Sequence, residues 1–227
     1  MSLSAWSQGT YSLKPTVEGL SGVTVGALTV ADVLLRPQVT GLTELQLMAL
    51  SRDDVPSWDR VALGRWDASA MLRSDVVMAS SLVIGSGSAL LAEDMPQTWV
   101  IGTMWVEANL LNGMSTYVIK HSTRRIRPYA YGLDAPLADR MSPDAQTSFV
   151  SGHTSLTAVN TFFAATVFSQ THPDSQWVPW VWAAAAAIPA YTGYQRVQAG
   201  EHFPSDVLAG YALGAVIGYL IPTIHLD

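Results

Sequence analysis

Apolar positions along the 227 residues gather into six stretches of helical length, roughly 16–35, 70–92, 96–119, 153–170, 176–195 and 206–224. Ala, Leu, Met and Gly dominate these stretches, and strict apolar/polar alternation is absent, so the pattern predicts helices rather than strands. Residues 40–66 are more polar and predict shorter helices, with Asp53, Asp54 and Pro56 marking a turn. Residues 121–152 form the longest irregular connection, rich in Arg, Pro, Asp and Ser. A connection of that length is usually functional or disordered, and its basic residues favour function. Neither an internal repeat nor a low-complexity tract interrupts the pattern. The expected architecture is all-α: a single helical bundle with about six long core helices. Residues 1–69 would form an N-terminal helical extension and residues 70–227 the core, and a chain of this length needs no second domain.

Composition sharpens this picture. Apolar residues make up 49% of the chain and charged residues only 13%, about half the usual charged share. Wide surfaces must therefore be buried, in a core or against lipid. The segment lengths permit membrane spans, but other features argue against them. The connections opposite the basic loop, Glu93-Asp94, His172-Pro173-Asp174 and His225-Leu226-Asp227, carry no Lys or Arg, against the excess expected on cytoplasmic loops. Glu107 interrupts the third apolar segment, and Pro179 and Pro189 interrupt the fifth. On balance a soluble or surface-associated bundle is expected ahead of an integral one.

The net charge of −6 argues against a nucleic-acid partner. Within that acidic chain, Lys120, Arg124, Arg125 and Arg127 place four of the twelve Lys and Arg residues in eight positions, which suggests one defined anion site. There is no cysteine, which excludes disulfides, thiolate metal ligands and a cysteine nucleophile, and fits an oxidising compartment. Met1 to Tyr11 lacks a basic start followed by an apolar run. An extracytoplasmic location, periplasmic or membrane-associated, is expected, with the signal segment absent from this sequence.

Three motifs carry chemistry. In Lys120-His-Ser-Thr-Arg-Arg-Ile-Arg127-Pro128, Lys120 and Arg127 supply a point charge and a planar five-donor fork, the side chains best suited to a phosphate. Alone, the stretch reads equally as basic residues welcome at a helix C-terminus. In Ser148-Phe-Val-Ser151-Gly152-His153-Thr-Ser155, the first turn of an apolar helix would offer free N–H groups to an anion. Gly152 would permit close approach, and His153 could give a proton near neutral pH. The plain alternative is an ordinary Ser cap with an incidental histidine. In Gln195-Arg196-Val-Gln-Ala-Gly-Glu-His202-Phe-Pro-Ser-Asp206, Arg196 adds a second guanidinium. The four-residue spacing lets Asp206 accept from one nitrogen of His202 and free the other to attack phosphorus. The plain alternative has Asp206 complementing a helix dipole.

Taken together, Lys120, Arg127, Pro128, Ser151, Gly152, His153, Arg196, His202 and Asp206 resemble the PAP2 superfamily. That family comprises type 2 phosphatidic acid phosphatases, bacterial non-specific acid phosphatases and vanadium haloperoxidases. Two positions depart from its pattern, Val150 where Pro is usual and Gln195 where Ser is usual. The resemblance implies a metal-independent phosphatase without a cofactor, acting on phosphate esters that include lipid phosphates or isoprenoid pyrophosphates. His202 would be the nucleophile, Asp206 its orienting partner and His153 the leaving-group acid. Lys120, Arg127, Arg196, Ser151 and the Gly152 amide would bind the phosphate oxygens. The alternatives are a vanadate-dependent haloperoxidase, whose known members resemble much longer chains, and a non-catalytic anion-binding membrane protein on the same scaffold. Glu107 is expected to hydrogen-bond to the arginine cluster. His121, His172 and His225 are expected at the surface, and Trp177, Trp180 and Trp182 in the core or at a membrane interface.

Overall fold

A computed structural model describes residues 10–227, so the reading of the first nine residues lies outside the described part. Six long helices carry the bundle: α1 (Pro15–Leu35), α3 (Ala68–Gly87), α4 (Met95–Thr123), α6 (Gly152–Thr171), α7 (Val178–Gln198) and α8 (Pro204–His225). Two short helices, α2 (Glu44–Met48) and α5 (Leu137–Arg140), complete the set, and no strand occurs among the described residues. Helix starts are written locally. Asp67 accepts from the Ser69 and Ala70 amides, Asp94 from Gln97, and Ser151 from Thr154, each replacing a missing intrahelical acceptor. Proline opens α1, α4, α7 and α8, where its absent N–H costs nothing.

Helix α6 runs through the centre and packs most extensively on α8, then on α7, α3 and α4. The α6–α8 contact is close because Gly210, Gly214 and Gly218 face α6. A Cβ at those positions would overlap the carbonyl oxygens of Ser151, Ser155 and Val159. Ile101, Met104, Val159, Phe163, Val167 and Ile221 form the main core. The connection after α4 is not loose. It winds through three short helical turns, and Tyr129, Ala130, Ala135 and Ala145 pack with Leu42 into a second core. The polar 40–66 stretch therefore sits on the connection that carries the basic motif.

The outer faces are apolar. Leu20, Val23 and Leu34 of α1, Val76 and Val83 of α3, and Leu208 of α8 are all exposed. Three segments, Pro15–Gln38, Ala68–Leu91 and Pro204–His225, are long and apolar enough to cross a membrane. Apolar surface of this extent has no place in water, so the chain is membrane-associated; of the expected soluble or surface-associated bundle, the soluble alternative is corrected. The residues that suggested it are accommodated within the helices. Glu107 is buried inside the bundle, Pro179 lies in the first turn of α7, and Pro189 is packed in that helix's interior.

Candidate active site

The C-terminal ends of α4 and α7 meet the N-terminal ends of α6 and α8. Lys120 lies in the last turn of α4, which Arg124 closes in the left-handed conformation at φ 48°. His153 lies in the first turn of α6, Arg196 in the last turn of α7, and His202 in the turn before α8. A cavity of about 450 Å³ opens between these ends, and Lys120, Arg127, Gly152, His153, Arg196 and His202 line it. A Cβ on Gly152 would project between Lys120 Cε and Thr116 Cγ2, 3.6 Å from each. Gly152 therefore leaves room in the cavity wall.

Two of the expected site residues do not line this cavity. Ser151 Oγ lies 2.9 Å from Thr154 Oγ1 and caps α6, so in this structure it is not presented as a phosphate ligand. Asp206 is fully buried behind His202. His202 Nδ1 lies 2.7 Å from the Ser148 carbonyl, whereas Asp206 Oδ2 is 3.8 Å away, beyond hydrogen-bond range. The expectation that Asp206 orients the ring directly is corrected. A carbonyl oxygen only accepts, so Nδ1 carries the ring proton and Nε2 keeps its lone pair. Asp206 works one step further back, accepting from Ser148 Oγ at 2.6 Å, from the Phe203 amide at 2.9 Å and from Arg125. Arg125 also reaches Asp59 at 2.7 Å, and Asp59 accepts from the Ser205 amide at 2.9 Å.

The turn that delivers His202 depends on Gly200, at φ +75°, where a Cβ would overlap the Arg65 carbonyl. Only glycine meets both demands. On the other wall, His153 Nε2 lies 2.8 Å from Asp75 Oδ1 of α3. Arg127 is held by Asp144 at 2.8 Å and by a close contact with Glu201, whose carboxylate also lies 3.1 Å from Arg196. Two polar atoms of the lining residues, Arg196 Nε and Thr116 Oγ1, are buried with no hydrogen-bond partner among the described residues.

Residues 101–227 match the PAP2 superfamily. The chain belongs to this family. It is 32% identical over 138 residues to the lipid A 1-phosphatase of Rhizobium johnstonii, covering 57% of this chain and 52% of that protein. It is 29% identical over 150 residues to the lipid A 1-phosphatase of Rhizobium etli, covering 62% and 59%. A third lipid A 1-phosphatase, from Porphyromonas gingivalis, is 35% identical over 83 residues, 36% of this chain and 17% of that protein. The chain thus spans about half the length, or less, of the curated relatives it matches. The crystal structure of a transmembrane PAP2-type phosphatidylglycerolphosphate phosphatase from Bacillus subtilis superposes with a TM-score of 0.55. That likeness is at 21% identity, over 88% of this chain and 95% of the other, and shows a shared fold.

Within this PAP2 chain, burial holds His202 well below the usual imidazole range, and the Lys120, Arg127 and Arg196 charges add to the effect. The ring is therefore neutral at physiological pH, as a nitrogen nucleophile must be. At the two positions that depart from the family pattern, Gln195 accepts from Arg73 Nε at 2.9 Å, tying α7 to α3, and Val150 is simply buried. Sequence reasoning missed Asp59, Asp75, Ser148 and Glu201. Asp75 left a trace, being the only carboxylate in its apolar segment; Ser148 left none, because it meets His202 through a backbone oxygen and Asp206 through a hydroxyl from a distant part of the chain. The expected bond from Glu107 to the arginine cluster does not form. Glu107 instead accepts from Ser21, on the far side of the bundle. His225, expected at the surface, is fully buried; His121 is partly buried against Asp32 at 2.6 Å, and His172 is exposed.

Proposed function

We propose that this chain hydrolyses phosphate esters of membrane lipids through a phosphohistidine at His202. The observation that carries this reading is the buried His202 imidazole, whose Nδ1 is engaged by the Ser148 carbonyl at 2.7 Å while the ring lines a cavity walled by Lys120, Arg127 and Arg196. A phosphoryl group entering the cavity replaces the Glu201 carboxylate between the two guanidiniums, whose planar forks match its oxygens. Arg196 Nε and Thr116 Oγ1 then gain an acceptor. The Nε2 lone pair forms a bond to phosphorus while the bridging P–O bond breaks. The pKa of His153, which burial and the Arg196 charge push down to about 4, is raised by the incoming phosphate charge beside Asp75, and the ring gives its proton to the leaving oxygen. The Ser148 carbonyl and the buried Asp206 stabilise the cationic phosphoimidazole. Water then attacks phosphorus, returning a proton to His153 and the electron pair to Nε2, and inorganic phosphate departs. Side-chain cations supply the charge stabilisation throughout.

The lipid assignment rests on where the cavity lies. Trp99, Trp177 and Trp180 are exposed near the starts of α4 and α7, and Tyr117, Tyr191 and Tyr194 near their cavity ends. Such aromatic belts mark the two interfaces of a bilayer. At 1.5 Å per residue the belts stand about 25 Å apart, close to a hydrocarbon thickness of about 30 Å. The bundle then crosses the membrane with α1, α3 and α8 facing lipid, and the cavity opens at head-group level on the extracytoplasmic face. The names of the curated relatives support a lipid phosphate as substrate.

The test is rapid-quench trapping with a radiolabelled lipid phosphate in detergent. An acid-labile, base-stable phosphoenzyme is expected in the native chain and in none of the His202→Ala protein. Label retained by His202→Ala would overturn the mechanism. Turnover of soluble esters with none of lipid phosphates would overturn the substrate class.

A further inference from the structure

At the end of the bundle opposite the phosphate cavity, three side chains that the proposed chemistry leaves unused converge. Glu18 comes from the first turn of α1, Glu107 from α4 and His225 from the last turn of α8. His225 Nε2 lies 2.7 Å from Glu18 Oε1 and 3.6 Å from Glu107 Oε2. One ligand atom from each residue lies within 4.8 Å of the others. His225 is fully buried and Glu107 is 8% exposed.

The hydrogen bonds around the cluster fix what it offers. His225 Nδ1 lies 2.8 Å from the Ile221 carbonyl, so Nδ1 carries a proton and Nε2 is the nitrogen turned toward the two carboxylates. Glu107 Oε1 accepts from Ser21, but Oε2 is buried, directed at the imidazole and without a hydrogen-bond donor among the described residues. Lys14, one turn before Glu18, donates to the Ile224 and Leu226 carbonyls at 3.0 and 2.8 Å. A buried carboxylate oxygen without a partner is costly. One shared proton serves the 2.7 Å pair and leaves Oε2 unanswered; a cation between the three atoms answers all of them.

We infer that Glu18, Glu107 and His225 hold one divalent transition-metal ion, for which zinc is the best match, as a clip joining α1 to α4 and α8. Imidazole nitrogen and carboxylate oxygen are both zinc donors, and three protein ligands leave a fourth position for water. Tetrahedral bonds of about 2.0–2.2 Å separate neighbouring ligand atoms by about 3.4 Å. The 3.6 Å pair meets that spacing, and the 2.7 Å pair meets it after a small opening. The Ile221 carbonyl behind the imidazole is the orienting contact that metal-bound histidines carry, and Ser21 plays the same part for Glu107. The clip acts where it is needed, because Asp32 is the only fully buried residue of α1 and lies toward its other end. This inference is independent of the phosphatase reading.

The full chain in detergent is stripped with EDTA, desalted and titrated with zinc, with magnesium as the control. Bound metal per chain and Tm are the readouts. One zinc per chain and a zinc-dependent rise in Tm are expected, with no response to magnesium. Glu107→Gln and His225→Gln should weaken zinc binding about 100-fold or more and lose the Tm response. Glu18→Gln, at a partly exposed position, gives the same comparison should the buried variants fail to fold. Equal zinc binding by native chain and variants would overturn the site. A metal-free Glu107→Gln chain more stable than the native one, with no zinc response in either, would show a shared proton instead. Phosphoenzyme formation should persist after stripping; its restoration by zinc alone would count against the phosphohistidine chemistry and not against the clip.

Discussion

Replacing Asp206 by Asn separates two ways in which a buried carboxylate serves a histidine nucleophile. Were Asp206 the direct partner of the imidazole, Asn would mis-set the tautomer while the fold survived, with a rate loss of about 10⁴. The geometry argues otherwise, since Nδ1 donates to the Ser148 carbonyl at 2.7 Å and Asp206 stands off at 3.8 Å. Asp206 accepts from Ser148 Oγ, the Phe203 amide and Arg125, all in a fully buried position. Hydrogen bonds to a charged group contribute about 1.5–3 kcal/mol each. Asn keeps one acceptor oxygen and turns an NH₂ toward the remaining donors, so either the Arg125 bond or the Phe203 amide bond is lost, because neither donor can accept. Breaking a buried pair of this kind costs about 3–5 kcal/mol, or on the order of 10 °C in Tm for a chain of this size. Asp206→Asn should therefore destabilise strongly. Ser148→Ala, which keeps the carbonyl, should cost about 1–3 kcal/mol with a modest fall in kcat. Thermal unfolding in detergent, paired with single-turnover phosphoenzyme formation at low temperature, reads both quantities. An Asp206→Asn protein as stable as the native chain, yet about 10⁴ slower, would refute the indirect role.

Three further outcomes follow from the same contacts. His202 has a depressed pKa in the folded state, so below its ordinary value of about 6.5 the unfolded chain binds a proton that the folded chain refuses. Its contribution is present above that pH and lost as pH falls; Tm should drop on acidification, less steeply in His202→Asn, and parallel profiles would refute this. Glu201 occupies the guanidiniums that a phosphate must reach, so Glu201→Gln should tighten inhibition by vanadate or inorganic phosphate up to about tenfold, equivalent to about 1.4 kcal/mol; weaker inhibition would show that Glu201 instead holds the arginines in place. His153→Ala removes the leaving-group acid and should cost about 10²–10⁴ in rate on alkyl phosphates, and much less on nitrophenyl phosphate; equal losses on both would remove His153 from that role.

The helices were legible because each apolar stretch is long and continuous: residues 206–224 predicted one helix, and α8 runs from Pro204 to His225. Six site residues were legible for a related reason. All but Arg127, which follows α4 on its connection, sit at or beside helix ends, where caps, prolines and glycines announce themselves in the sequence, and those ends converge on one cavity. What lay hidden depended on tertiary neighbours. Ser148 contributes a carbonyl, which every residue type has. Asp59 reaches Arg125 from a stretch without any motif. The soluble lean arose from connections without Lys or Arg, and from treating Glu107, Pro179 and Pro189 as interruptions of apolar segments. Carboxylates within apolar segments cannot be left unsolvated and unpartnered, and the chain meets that need in a consistent way. Asp32 is bonded to His121, Asp75 to His153, and Glu18, with Glu107 close by, to His225. Each pair joins two helices. A carboxylate inside an apolar segment was therefore a signal of an interhelical histidine partner for Asp32, Asp75 and Glu18, and that partner lies in the phosphate cavity for Asp75 and at the opposite end of the bundle for Glu18.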